Sequence, residues 1–133
     1  MGCAAGIGCT GTAWVDLVNW IVKPQPIAPT LNTKTPSLAN VCDGHLVSAT
    51  FNAGSGGVGC SDVYEYDFDN LEAWVGYTPG DNINTAGRTS VRIRGQRSGC
   101  TAGVGCTGTN WVILAQWNVN PQPVLASINT KNP

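Results

Sequence analysis

Between Val63 and Asp69 large and acidic residues alternate: Tyr64, Tyr66 and Phe68 fall on one side, Glu65, Asp67 and Asp69 on the other. A period of two predicts a half-buried strand with the acidic residues on its solvated face. The same rhythm sets Val47, Ala49 and Phe51 against Ser48, Thr50 and Asn52 in residues 45–52. It also sets Val91 and Ile93 against Arg92 and Arg94 in residues 89–95. Two further strands are predicted there. In residues 110–120, Trp111, Ile113, Ala115, Trp117 and Val119 share a face, and the apolar Val112 and Leu114 on the other side predict a strand covered on both faces at its start.

Asp69-Asn70 is a turn-favouring pair, predicted to close a hairpin from Phe68 into a strand over residues 72–77. Tyr77-Thr78-Pro79-Gly80-Asp81 marks the next turn, and no helical period occurs anywhere. Strands at this spacing predict an all-β fold, an immunoglobulin-like β-sandwich of about seven strands, with a flattened barrel as the other option. The stretch Val22 to Pro36 carries Pro24, Pro26, Pro29 and Pro36. It is expected to be a semi-rigid polyproline connector between domains.

The strongest pattern is a repeat. Residues 2–36 align with residues 99–133 at an offset of 97 (99 − 2), and 21 of the 35 aligned positions are identical. The identities include Trp14/Trp111, Trp20/Trp117, Val22/Val119 and Pro24-Gln25-Pro26/Pro121-Gln122-Pro123. The expected organisation is therefore the C-terminal third of one repeat plus its Pro-rich linker in residues 1–36, then one complete 97-residue unit in residues 37–133. A period near one hundred residues is long enough for each unit to own a core, unlike a solenoid repeat of roughly 20–50 residues.

Composition narrows the function. The 133 residues include 17 Gly and 8 Pro but one Met, which disfavours helix. Lys and Arg number 7 against 8 Asp and Glu, for a net charge of −1, so a phosphate-neutralising nucleic-acid binder is excluded. No apolar run of about eighteen residues exists, so no membrane span is expected. Met1-Gly2-Cys3-Ala4-Ala5-Gly6 lacks the charged and Leu-rich regions of a secretory signal, and is expected to be a cut inside a longer protein.

One family resemblance stands out. Val41-Cys42-Asp43-Gly44, Ala49-Thr50-Phe51, Gly54-Ser55-Gly56-Gly57-Val58-Gly59-Cys60, Tyr64-Glu65-Tyr66, Trp74, Tyr77-Thr78-Pro79-Gly80, Ser90-Val91-Arg92-Ile93-Arg94 and Trp117-Asn118-Val119 together resemble the tandem Ig-like repeats of giant secreted surface proteins. The nearest group is the gliding-motility adhesins of gliding bacteria. The resemblance covers residues 37–133 and the partial copy before them. It implies an extracellular, cell-surface-attached protein whose repeats form a stalk, and it implies no catalytic or ligand residue. Asp69-Asn70-Leu71-Glu72-Ala73 departs from it, standing where related repeats show a Gly-containing turn.

Candidate chemistry is sparse. His45 is the only imidazole and no G-x-S-x-G elbow accompanies it, so nucleophilic catalysis is not expected. Glu65, Asp67 and Asp69 follow one another at about 6.5–7 Å along a strand face, a spacing that permits calcium or glycosidase chemistry but usually marks a solvated face. The Gly-rich stretches at 54–59 and 99–108 have no Lys after them and read as loops rather than phosphate cradles. No enzyme activity, cofactor or metal is expected. Trp14, Trp20, Trp111 and Trp117 are repeat-equivalent and read as core, leaving Trp74 as the one candidate exposed aromatic for a surface glycan.

Cys3, Cys9, Cys42, Cys60, Cys100 and Cys106 are even in number and show no C-x-x-C spacing, which favours disulfides in an oxidising compartment. Proximity favours Cys3 with Cys9, Cys100 with Cys106, and Cys42 with Cys60. A bond from Cys60 to Cys100 or Cys106 is the rival, and a bridge from Cys42 to a neighbouring unit is a further option. The partial copy places a terminal strand, residues 13–22, without the rest of its sandwich. Such a strand is expected to complement another copy or a neighbouring repeat at a sheet edge. The functional expectation is a non-catalytic stalk module, with a glycan- or surface-binding module built on the Gly-rich loops and Trp74 as the alternative.

Overall fold

The computed structural model describes residues 3–133, and among these no helix occurs. Eight strands follow in order: β1 (Thr30–Thr35), β2 (Asn40–Cys42), β3 (Leu46–Asn52), β4 (Ser61–Phe68), β5 (Val75–Gly76), β6 (Ile83–Asn84), β7 (Ser90–Ser98) and β8 (Val112–Asn120). They form two sheets, one of order β1-β3-β6 and one of order β2-β8-β7-β4-β5. All pairs are antiparallel except β2 with β8, which run parallel.

The inner faces are those the alternation marks. Val47 and Ala49 of β3 and Ile83 of β6 meet Val91 and Ile93 of β7 and Ala115, Trp117 and Val119 of β8 in one buried cluster. Phe51, Tyr64, Tyr66 and Phe68 pack against it, with Phe51 stacked on Tyr64 at 4.3 Å between ring centroids. Burying these side chains drives the two sheets together. The hydroxyl of Tyr77 accepts from the Ala49 amide at 3.1 Å and donates to the Asp81 carbonyl at 2.7 Å. Both ends of a turn are thereby tied to β3. Burial pushes the Tyr77 phenol above its ordinary pKa.

Several expectations change. The stretch read as a polyproline connector is not one throughout. Between Pro29 and Pro36 lie six residues free of proline, Thr30–Thr35, and they form β1, paired with β3 from Thr30↔Asn52 to Thr35↔Ser48. Leu31 packs on the core, and the Trp117 indole donates to the Pro36 carbonyl at 2.9 Å. The strands of the sandwich therefore run from Thr30 to Asn120, starting before residue 37.

On β8 the strict alternation fails. Ile93 pairs with Ala115 but Arg94 pairs with Ile113, so Leu114 is an extra residue. This bulge exchanges faces. Ala115, Trp117 and Val119 stay in the core, whereas Ile113 is 46% exposed and Trp111 turns outward. Trp111 is thus not a core residue. The hairpin strand expected over 72–77 shrinks to Val75–Gly76. Its turn does form: Leu71 N–H donates to the Phe68 carbonyl, and Asp69 and Asn70 take φ of 58° and 54°. Positive φ at both central residues defines a type I′ turn, which Asp and Asn tolerate without glycine.

Register fixes which loops share an end. β1 begins opposite Asn52, so the chain arrives at the end that carries the 53–60 and 99–111 loops. β8 finishes at the opposite end, where Asp43 N–H donates to the Asn120 carbonyl at 2.8 Å.

Candidate functional site

The outer face of β4 and β7 carries the acidic side chains that the sequence marks as solvated. The antiparallel register sets Glu65 opposite Arg94 and Asp67 opposite Arg92. Arg94 donates to Glu65 at 2.6 and 3.1 Å, and Arg92 donates to Asp67 at 3.0 and 3.2 Å. Asp67 is only 1% exposed and also accepts the amides of Glu72 and Ala73. It is a buried, fully partnered carboxylate rather than part of a solvated face. Its neighbour Asp69 accepts the Thr89 amide at 2.6 Å, which together with Arg88 holds its carboxyl below the usual range. Glu72 is likewise held low, chiefly by its hydrogen bond from Arg92.

Trp74 stands beside this ladder. It is half-buried, and its ring lies 3.9 Å from the Arg94 guanidinium and 4.6 Å from that of Arg92. Arg94 also lies 4.1 Å from the Trp111 ring, so one guanidinium is held between two indoles. The indole N–H of Trp74 donates to Glu72 at 3.0 Å. Among the described residues no cluster of three or more His, Cys, Asp or Glu is placed to hold a metal ion.

At the end where the chain arrives, the Gly-rich loops pack against residues 24–27. Ile27 and Ser55 exchange both backbone hydrogen bonds, at 2.7 and 3.1 Å, and Gly57 N–H donates to the Pro24 carbonyl at 2.7 Å. A side chain at Gly54 or Gly56 would run into the carbonyl of Ile27 or of Gln25. Glycine is required there because two backbones touch. The Gln25 amide spans the second loop: Nε2 donates to Gly105 O at 2.9 Å, and Oε1 accepts from Thr107 N at 3.2 Å. Arg97 of β7 donates to Asp62 of β4 at 3.1 Å and to Gly56 O at 3.1 Å, tying the 53–60 loop to the sheet.

Cys60 is bonded to Cys100 across these loops. The proximity pairings Cys42–Cys60 and Cys100–Cys106 are thereby overturned, and the rival Cys60–Cys100 is the one formed. The reason is register: Ser61 pairs with Ser98, so the residues just beyond β4 and β7 are spatial neighbours although 40 residues apart in sequence. Cys3, Cys9, Cys42 and Cys106 are free thiols, so the expected Cys3–Cys9 bond is not formed either. Cys42 lies at the far end of the sandwich, where Cys42 pairs with Asn120 and Gln122 Nε2 donates to the Asp43 carbonyl at 2.8 Å.

Residues 13–22 form no strand, and their apolar side chains face outward: Trp14 is 92% and Trp20 80% exposed, whereas Trp117 is fully buried. No helix among the described residues is long and apolar enough to cross a membrane. Comparison with known protein families, curated proteins and solved structures finds no match to this chain.

Proposed function

We propose that the chain is a segment of a stalk: a non-catalytic, immunoglobulin-like repeat of a long extracellular adhesin or surface filament, useful through its multiplication. One observation carries this reading. Residues 2–36 recur 97 positions on as residues 99–133, and the folded unit receives the chain at one end, at Pro24-Gln25-Pro26, and releases it at the other, at Pro121-Gln122-Pro123. A unit with opposite ends strings in line without folding back.

The strand order supports the immunoglobulin-like reading, because a three-stranded β1-β3-β6 sheet faces β2-β8-β7-β4-β5 and the first strand is split between the two sheets. The Gly-rich loops are engaged with residues 24–27, and Trp74 is engaged with arginines, which supports a mechanical part over a glycan-binding one. The Cys60–Cys100 bond is compatible with an oxidising, extracellular setting. The exposed Val18 and Trp20 match Ala115 and Trp117 of β8 and support partnership with another unit by strand complementation.

Chains of two, three and four units test this by small-angle scattering. Nine residues of β8 span roughly 30 Å, so each added unit extends the maximum dimension by about 30–40 Å. A dimension that stays constant as units are added refutes the stalk.

A further inference from the structure

We propose that successive units are stitched together by a disulfide between Cys42 of one unit and Cys106 of the next. This rests on the tandem reading above. It arises because this chain shows the same joint from both sides.

Gln25 and Gln122 are equivalent residues, 97 positions apart. Gln25 shows how the glutamine meets the unit it leads into: its amide grips Gly105 and Thr107, the two neighbours of Cys106. Gln122 shows how it meets the unit it has just left: its Nε2 donates to the carbonyl of Asp43, the neighbour of Cys42. The two sets of contacts are compatible in one side chain. An amide NH2 has two hydrogens, one for each carbonyl, and its oxygen remains free to accept from the Thr107 amide. At a joint between units, a single glutamine therefore has the residue beside Cys42 on one side and the residues beside Cys106 on the other.

A second contact at the same joint agrees with this placement. Lys23 is the repeat equivalent of Asn120, and Cys42 pairs with Asn120 in the parallel β2–β8 ladder. The Cys42 equivalent of the preceding unit thus lies one strand spacing from Lys23, about 4.8 Å. Lys23 in turn lines one groove with Ile21, Val22, Val58 and Cys106. The proposed disulfide closes this groove, bringing the two Cα atoms to about 4.4–6.8 Å apart. Both thiols are free for it, Cys42 on the surface and Cys106 half-buried, while Cys60 and Cys100 are already spent on each other.

The chemistry is thiol–disulfide exchange. The Cys42 thiolate attacks a small disulfide oxidant such as oxidised glutathione, forming a mixed disulfide and releasing one reduced glutathione. The Cys106 thiolate then attacks the Cys42 sulfur and expels the second. Two thiols lose two protons and two electrons, one S–S bond forms, and one glutathione disulfide is reduced.

The test extends the full chain by one period, joining a second copy of residues 37–133 after Pro133 and so keeping the 97-residue register. After equilibration with glutathione redox buffer, unreduced digestion and mass spectrometry should yield a peptide linking Cys42 to the Cys106 position of the second copy. Titration in denaturant should show two fewer thiols than before oxidation. Cys42→Ser, or Cys106→Ser in the second copy alone, should abolish that peptide while the Cys60–Cys100 peptide persists. Free thiols at both positions in a chain that scattering shows to be elongated overturn the bridge and leave the stalk standing. So does a Cys42 bonded to any other cysteine. A chain that does not elongate refutes the stalk reading itself, and the bridge with it.

Discussion

The Trp117 indole donates its Nε1 proton to the Pro36 carbonyl at 2.9 Å, tying the strand that ends the unit to the tail of the strand that begins it. Trp117 is the largest fully buried side chain, and the Lys34 ammonium lies 5.1 Å from its ring centre. The first and last strands of the unit thus close on one residue.

Trp117→Ala is expected to cost about 3–5 kcal/mol, the range for deleting a buried aromatic, and to lower the denaturant midpoint accordingly. Trp20→Ala, at the equivalent position of the partial copy, is expected to change it by less than about 0.5 kcal/mol. Urea unfolding of the two variants side by side checks this. Equal losses would mean that residues 13–22 also enter a core.

Arg92→Ala leaves Asp67 buried without its cation. Removing one partner of such a pair costs about 3–5 kcal/mol. The double variant Arg92→Ala, Asp67→Asn should recover part of the loss, because the uncompensated charge is gone. If the double variant is as unstable as the sum of the single variants, the Asp67–Arg92 pair is not coupled.

Reducing the Cys60–Cys100 bond frees a loop spanning a separation of 40 residues. The chain-entropy relation puts the loss at about 4 kcal/mol. For a unit near one hundred residues that is a fall in Tm of roughly 15–30 °C, measurable by calorimetry with and without reductant. A Tm indifferent to reductant would count against this pairing.

Acidification is expected to destabilise the fold. The Thr89 amide lowers the Asp69 pKa and Arg92 lowers that of Glu72, so on unfolding each carboxyl returns to a higher value. Their stabilisation is present above the ordinary carboxylate pKa of about 4 and is lost as pH falls below it, because the unfolded state then binds more protons. The urea midpoint should be flat from about pH 7 to 5 and fall below, less steeply in Asp69→Asn. An identical acid slope in that variant would assign the effect to other groups.

Much of this was legible in residue order because alternation survives folding. Val47, Ala49, Val91, Ile93 and Trp117 are buried on the faces their spacing predicts. Asp67 was misread because alternation tells only the face of a strand, and whether that face is wet depends on what crosses it. Arg92 comes from β7, and the 72–73 amides and Trp74 come from the segment after the turn. Trp111 was misread because one inserted residue, Leu114, resets the phase, and no local signal marks a bulge.

What the sequence alone determined is the period of 97, the two-residue rhythm of the main strands and the chemistry on offer, all of which are properties of order along the chain. Which copy folds was decided only in three dimensions. Thr30–Thr35 is a strand while its equivalent at residues 127–132 is not, and Trp117 is buried while Trp20 is not, although the sequences are close. A strand exists by pairing and an apolar side chain is buried by neighbours. Both are supplied by residues 40–98, which only the copy joined to them can use.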